Sequence, residues 1–241
     1  MAAKNAIFFI AGFPLLTGLI LLPLIRSAGD DPAHQASAVV GWMLLMLLVQ
    51  SVCAIISGTL CRSFRSCCLV GIISALAVVI PELLGCVAGL IPVIVVLPTG
   101  AVFIAWGLFC AGLAKTLSVW GSGAAVAVAI PFALMLLFSP VIATPLLVLL
   151  QHLTLHGSWL TDIVVNISPA LWMINALAAG IHYNWFIWFH APLMYQHVVI
   201  GQNMFMPKLW PWWPACITAG VIGLLLMASR IRQRPPDITG K

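Results

Sequence analysis

The histidines are the residues of this chain with the most specific chemistry. Five of the six, together with seven of the ten tryptophans and both tyrosines, lie between His152 and Trp213. His152 and His156 are four residues apart and would share one face of a helix. A zinc site needs about three or four ligands of this kind. The histidines that could supply them are His152, His156, His182, His190 and His197.

A diagnostic metal motif is missing from this set. The sequence contains no HExxH pattern, and Pro192 would interrupt a regular helix joining His190 to His197. We therefore predict histidines that make ordinary hydrogen bonds at a membrane interface, and we expect no cofactor. Binding of a metal ion or haem by these histidines remains the alternative.

Glu82 is the one acidic residue that lies well inside an apolar run. Placing a carboxyl group within a membrane costs free energy, so such a residue indicates a functional role. Glu82 could hold a proton, pair with a cation, or act as a hydrogen-bond hub. We place it on a substrate path, with Gln50 and Thr17 as weaker candidates.

The seven cysteines include no CxxC pair, so a disulfide framework is not indicated. Three of them, Cys61, Cys67 and Cys68, flank a short basic loop. A metal or redox role is conceivable there. We predict that they act as small apolar filler.

The elements that position these residues are membrane helices. The chain is 63% hydrophobic and 6% charged, whereas a soluble domain carries about 25% charged residues. Its apolar runs are about 20 residues long and lack the alternation of barrel strands. We predict an all-α, polytopic helical membrane protein that forms one transmembrane domain over residues 1–241. Its six spans are placed at about 6–25, 37–59, 69–89, 93–113, 122–150 and 213–228.

Lysine and arginine set the predicted orientation. With the N-terminus inside, eight basic residues face the cytoplasm and two face outward, so both termini are expected in the cytoplasm, in a bacterial inner membrane. The net charge of +5 is therefore no sign of nucleic-acid binding. The cytoplasmic set is Lys4, Arg62, Arg65, Lys115, Arg230, Arg232, Arg234 and Lys241.

The outer segment, residues 151–212, contains a second kind of helix. Ser168 and Pro169 are typical of a helix start, and Gly180 of a helix end. The helix between them would be about 16 Å long, too short to cross a bilayer of about 30 Å. Because it is apolar, we predict a re-entrant or buried helix, flanked by a belt of aromatic residues at the outer surface.

Enzymatic motifs are missing too. The sequence has no GxxxxGK[ST] phosphate loop, no Ser/His/Asp arrangement and no paired carboxylates. We therefore expect a transporter or a scaffold and not an enzyme.

This layout resembles the membrane subunit of the ABC-2 (type V) exporter family. The likeness lies in six spans, internal termini, and a partly buried segment, Asn166 to Trp172 onward, between spans five and six. It implies a permease driven by a separate ATPase subunit and built from two copies or two related chains. The apolar interior of the chain suggests a substrate that is amphipathic or lipid-like. Arg62 and Arg65 would face the ATPase. The outer segment, with Ser168, Trp172 and Asn175, would form part of the gate.

Two other functions stay open at this point. The chain could be the membrane anchor of a respiratory or redox complex, with histidines that hold haem or a metal. It could also be a non-catalytic membrane scaffold.

Overall fold

A computed structural model of the chain describes residues 2–27, 32–61, 63–139, 163, 166–178 and 211–231. This part of the chain is all helical, as predicted. Short 3-10 helices at Val93–Val95 and Ser118–Trp120 flank the fourth α-helix. The α-helices are α1 (Ala2–Arg26), α2 (Pro32–Leu60), α3 (Phe64–Val87), α4 (Val96–Leu117), α5 (Ser122–Leu137), α6 (Pro169–Ala178) and α7 (Trp212–Ile231).

Five of these helices, α1, α2, α3, α4 and α7, are long and apolar enough to cross a membrane. They confirm five of the six predicted spans. The remaining one, predicted at 122–150, begins as α5, an apolar helix of 16 residues. At about 1.5 Å per residue α5 is about 24 Å long, short of a bilayer of about 30 Å. The rest of that predicted span, from residue 140, lies outside the described residues.

The turn between α3 and α4 falls between the spans predicted at about 69–89 and 93–113. After Val87 the chain reverses at Gly89, whose φ of 71° lies in the left-handed region that favours glycine. The Leu90 N–H donates to the Gly85 carbonyl at 2.8 Å and closes the end of α3. Pro92 then precedes the 3-10 turn that leads into α4.

The turn between α2 and α3 is shorter than expected. α3 begins at Phe64 and not near residue 69, because Ser63 and Ser66 form a capping box. The Ser66 N–H donates to Ser63 Oγ at 3.2 Å, and the Ser63 N–H donates to Ser66 Oγ at 3.1 Å. Arg65 consequently lies in the first turn of α3, with an exposed side chain.

α4 is the central helix of the bundle, packed against α2, α3, α5, α6 and α7. Glycines allow its backbone to come close to its neighbours. A methyl group added at Gly107 would lie 2.6 Å from the Gly71 carbonyl of α3, and one at Gly223 of α7 would lie 2.6 Å from the Leu108 carbonyl. α1 is peripheral and packs on α2 and α3.

One end of the bundle collects basic residues. A buried cluster joins Ile10 of α1, Cys67 of α3, Ala111 of α4 and Met227 of α7. The start of α1, the α2–α3 turn and the ends of α4 and α7 therefore meet at this end, which we call the basic end. Arg65 and Lys115 both lie there, as the predicted alternation of spans requires. Which side of a membrane it faces stays a prediction.

Candidate functional site inside the helix bundle

The predicted short helix exists and is buried. α6 begins at Pro169, and the side chains of Met173, Ile174 and Leu177 are almost fully inaccessible. The helix packs against α2, α4, α5 and α7. The Ser168 hydroxyl, predicted as a cap for α6, donates to the Leu137 carbonyl at 2.9 Å and so ties the start of α6 to the end of α5.

Trp172 fixes the depth of α6 in the bundle. Its ring meets Trp106 edge to face, with centroids 6.5 Å apart, and its indole N–H donates to the Asn166 carbonyl at 2.7 Å. Trp106 lies near the middle of α4 and donates in turn to Ser51 Oγ at 2.7 Å. The contact with Trp106 therefore places α6 at the depth of the spanning helices. Asn175 is half-buried on the same short helix.

Glu82 is fully buried between α3 and α4. Its Oε1 atom lies 2.5 Å from the hydroxyl oxygen of Thr99, which is also fully buried. Its Oε2 atom has no hydrogen-bond partner among the described residues. Since unpaired buried carboxylates are costly, the protonation of Glu82 decides whether this arrangement is stable.

The Thr99 hydroxyl lies between two oxygen acceptors. Thr99 Oγ1 lies 2.5 Å from Glu82 Oε1 and 2.7 Å from the Val95 carbonyl oxygen. A threonine hydroxyl has one proton and can serve only one of these acceptors. Both short contacts become hydrogen bonds when Glu82 is a carboxylic acid. The Glu82 carboxyl group then donates a hydrogen bond to Thr99 Oγ1, and the Thr99 hydroxyl donates one to the Val95 carbonyl oxygen.

Gln50 forms a second polar contact further along α4. Its Nε2 atom donates to the Phe103 carbonyl at 2.6 Å and lies 3.5 Å from Ser74 Oγ. The missing side chain of Gly107 makes room for this amide, since an added methyl group there would lie 2.7 Å from Gln50 Nε2. The Oε1 atom of Gln50 has no partner within the described part of the chain.

These contacts line one face of α4. Thr99, Phe103 and Trp106 are spaced at i, i+4 and i+7, which places them on one side of a helix over about 10 Å. We call the buried polar groups along this face the polar seam. It consists of Glu82 and Ser74 from α3, Gln50 and Ser51 from α2, and Thr99 from α4.

The structure brings some of the predicted site residues close together. Glu82 lies at one end of the polar seam, and Trp172 reaches the other end through Trp106. Arg65 is exposed at the basic end, remote from the seam, and Arg62 lies outside the described residues. Also outside them are the five histidines of the alternative metal site, His152, His156, His182, His190 and His197.

Among the residues that the structure describes, no group of three or more His, Cys, Asp or Glu side chains could hold a metal ion. Thr99, Ser74 and Ser51 were not singled out from the sequence, because small hydroxyl residues are common in membrane helices.

Comparison with known proteins finds no matching family, no similar curated protein and no similar solved structure.

Proposed function

We propose that the chain is the permease subunit of an ABC-type transporter, which moves an amphipathic substrate and uses a separate ATPase subunit. The observation that carries this proposal is α6. A ten-residue apolar helix, located in the chain between α5 and α7, is buried at the depth of the spanning helices. The layout resembles that of ABC-2 permeases, in which a segment before the last span dips into the membrane.

α6 is the element that we assign to the gate. It is tied to α5 through Ser168 and to α4 through Trp172, while Asn175 stays half-buried. A helix too short to span can move relative to its neighbours without leaving the bilayer. Motion of α6 would change the packing of Trp106. It would therefore also change the arrangement of the polar seam at the end that Trp106 contacts.

The polar seam is the part of the interior that we assign to the substrate path. Glu82 is its one ionisable group, and an ionisable residue inside a membrane bundle marks a path for a substrate or a proton. The hydroxyl and amide groups beside it supply hydrogen bonds to the polar part of an amphipathic molecule.

The basic end is the surface that we assign to the ATPase. Arg65 is exposed there, on a turn stiffened by the capping box and by Lys115, whose ammonium donates to the Cys61 carbonyl at 2.6 Å. A stiff turn transmits a displacement of the bound subunit to α2 and α3. Arg62 belongs to the same proposed contact.

The proposal includes an assembly and a location. Two copies, or two related chains, would enclose the pathway in a bacterial inner membrane with both termini in the cytoplasm. The exposed apolar side chains of α1, α3 and α7 fit contact with lipid. The chain itself would catalyse no reaction.

The test is purification of the chain from its native membrane, identification of the proteins that accompany it, and measurement of ATP hydrolysis in lipid vesicles. We expect an ATPase subunit whose turnover depends on this chain. Arg65→Ala should weaken its binding about tenfold, or about 1.4 kcal/mol. Arg26→Ala is the matched control, because Arg26 is exposed at the opposite end, on α1.

Two results would contradict the proposal. One is transport that continues after the catalytic residues of the accompanying ATPase are removed. The other is a chain that purifies with electron-transfer proteins and carries a haem absorption band, which would favour the redox-anchor function.

A further inference from the structure

The α2–α3 turn brings two cysteines into one buried cluster. Cys61 follows the last residue of α2, and Cys67 lies near the start of α3. Their side chains are 8% and 1% exposed, and they share an apolar cluster with Ala111 and Met227. Two thiols with no role in the proposed transport path thus meet at the basic end.

The groups around these thiols are polar. Cys61 Sγ donates to the Ser57 carbonyl at 3.4 Å, and Cys67 Sγ donates to the Ala111 carbonyl at 3.4 Å. Both side chains pack into this same buried cluster at the α2–α3 turn. Lys115 binds the Cys61 carbonyl at 2.6 Å, so its positive charge lies beside the Cys61 thiol. Two thiols in one buried cluster beside a cation have surroundings typical of reactive cysteines.

Cys61 lies between α2 and α3, outside the membrane-spanning segments, and its surroundings favour the thiolate. The neighbouring side chains of Cys67 and Ser66, together with the charge of Lys115, lower the pKa of Cys61 to about 7 against the opposing effect of burial. At pH 7 such a thiol carries roughly fifteenfold more thiolate than an ordinary cysteine with a pKa of about 8.5. The thiolate is the nucleophile in cysteine chemistry.

We infer that Cys61 and Cys67 form a reversible disulfide, in which Cys61 reacts first with a hydroperoxide and Cys67 closes the bond. The Cys61 thiolate attacks one peroxide oxygen and the O–O bond breaks. The leaving alkoxide takes up a proton, and Cys61 becomes a sulfenic acid. The Cys67 thiol then attacks the Cys61 sulfur, and the hydroxyl group leaves with the thiol proton as water.

The electrons balance in this sequence. The two sulfurs lose two electrons and the peroxide gains them, so two thiols and one hydroperoxide give a disulfide, an alcohol and water. A dithiol reductant reverses the bond by thiol–disulfide exchange. On the cytoplasmic side predicted for the basic end, thiols are normally kept reduced, so the disulfide would form only under oxidative conditions.

Oxidation would change how the helices are joined. The disulfide would link α2 to α3 directly, and it would remove the hydrogen bonds from the thiols to Ser57 and Ala111. Because Ala111 belongs to α4, the start of α3 would lose a contact with the central helix. This inference does not depend on the proposed transport function.

The test uses the full chain in lipid vesicles, oxidised with hydrogen peroxide. Remaining thiols are then alkylated, and the protein is digested with trypsin and analysed by mass spectrometry without reductant. Arg62 and Arg65 lie between the two cysteines, so only a disulfide holds the resulting peptides together. We expect the linked pair after peroxide treatment, and we expect a dithiol reductant to separate it.

Matched variants identify the bond. Cys53 shares a tryptic peptide with Cys61, and Cys68, Cys86 and Cys110 share one with Cys67. Cys53→Ser and Cys68→Ser should keep the linked pair, whereas Cys61→Ser and Cys67→Ser should abolish it. Cys67→Ser should instead accumulate a Cys61 sulfenic acid that a dimedone reagent captures.

Three results would overturn the inference. The first is a linked pair that survives in Cys61→Ser or Cys67→Ser. The second is wild-type protein in which both thiols remain free to alkylate after peroxide treatment. The third is a pH midpoint for Cys61 alkylation near 8.5, where we expect a midpoint near 7 that rises in Lys115→Met.

Discussion

Glu82 has the most constrained chemistry of any single residue in the described bundle. It is fully buried, one of its oxygens contacts Thr99, and the other has no partner in the described part of the chain. A carboxylate in this position would leave a charge nearly unsolvated, whereas a carboxylic acid satisfies the Thr99 contact and leaves only a neutral oxygen unpaired. The geometry therefore favours a bound proton.

We predict that a hydrophobic carbodiimide labels Glu82 at neutral pH, because this reagent adds to a protonated carboxyl group within the membrane. Glu82 is the single glutamate of the chain, so mass spectrometry locates the label without ambiguity. Glu82→Gln should abolish the labelling and remove a carboxylic-acid C=O band from the infrared spectrum. Loss of a carboxylate band in its place would show that Glu82 is ionised.

Much of this residue-level arrangement follows from the sequence once the α3–α4 turn is placed. Glu82 lies eight residues before Leu90, and Thr99 lies eight residues after Ile91, so an antiparallel helix pair brings them together. In the same way, Ser74 lies sixteen residues before Leu90 and Gly107 lies sixteen residues after Ile91. The contact of Trp172 with Trp106 could not be predicted, because no pattern fixes how a short helix docks on distant spans.

At the scale of elements, the boundaries of the long helices were predictable because their apolar length is set by the bilayer. The start of α3 differed from the predicted one because it is set locally by the capping box. The two serines of this box stabilise the first turn of α3 but do not change the hydropathy from which the span was predicted. The close packing of α4 against α7 depends on individual glycines. The sequence shows the positions of these glycines, but it does not show which helix each one packs against.

The α4–α7 contact gives a stability prediction. Gly223→Ala would place a methyl group 2.6 Å from the Leu108 carbonyl, and two backbones would have to separate. Overpacking of this kind costs about 1–3 kcal/mol. We expect a lower free energy of unfolding, measured by thermal or denaturant unfolding in detergent micelles.

Gly220 supplies the matched control on the same helix. A methyl group at Gly220 would meet Ala105 at 3.6 Å, an ordinary contact. Gly220→Ala should therefore leave stability unchanged, or raise it by up to about 1 kcal/mol through its higher helix propensity. Equal destabilisation by both substitutions would contradict close packing at Gly223.

At the scale of the whole molecule, the bundle has two chemically different ends. The α2–α3 and α4–α5 turns belong to the basic end, and the α3–α4 turn belongs to the opposite end. The positive-inside rule predicts that the basic end faces the cytoplasm.

Single added cysteines test this orientation with a membrane-impermeant thiol reagent. Ala88→Cys, exposed at the α3–α4 turn, should react in intact cells. Ser63→Cys and Ser122→Cys, exposed at the basic end, should react only after the membrane is permeabilised. The reverse pattern would show an inverted orientation. Reaction of all three in intact cells would exclude an ordered membrane topology.

The central place of α4 has a consequence for the order in which the protein is assembled. Its neighbours α2 and α3 precede it in the chain, whereas α5, α6 and α7 follow it. During synthesis, the first four helices can therefore settle in the bilayer as a unit while the later ones are still being translated. Until α7 is inserted, the side of α4 at Gly112 lacks Gly223, the residue against which it packs in the complete bundle.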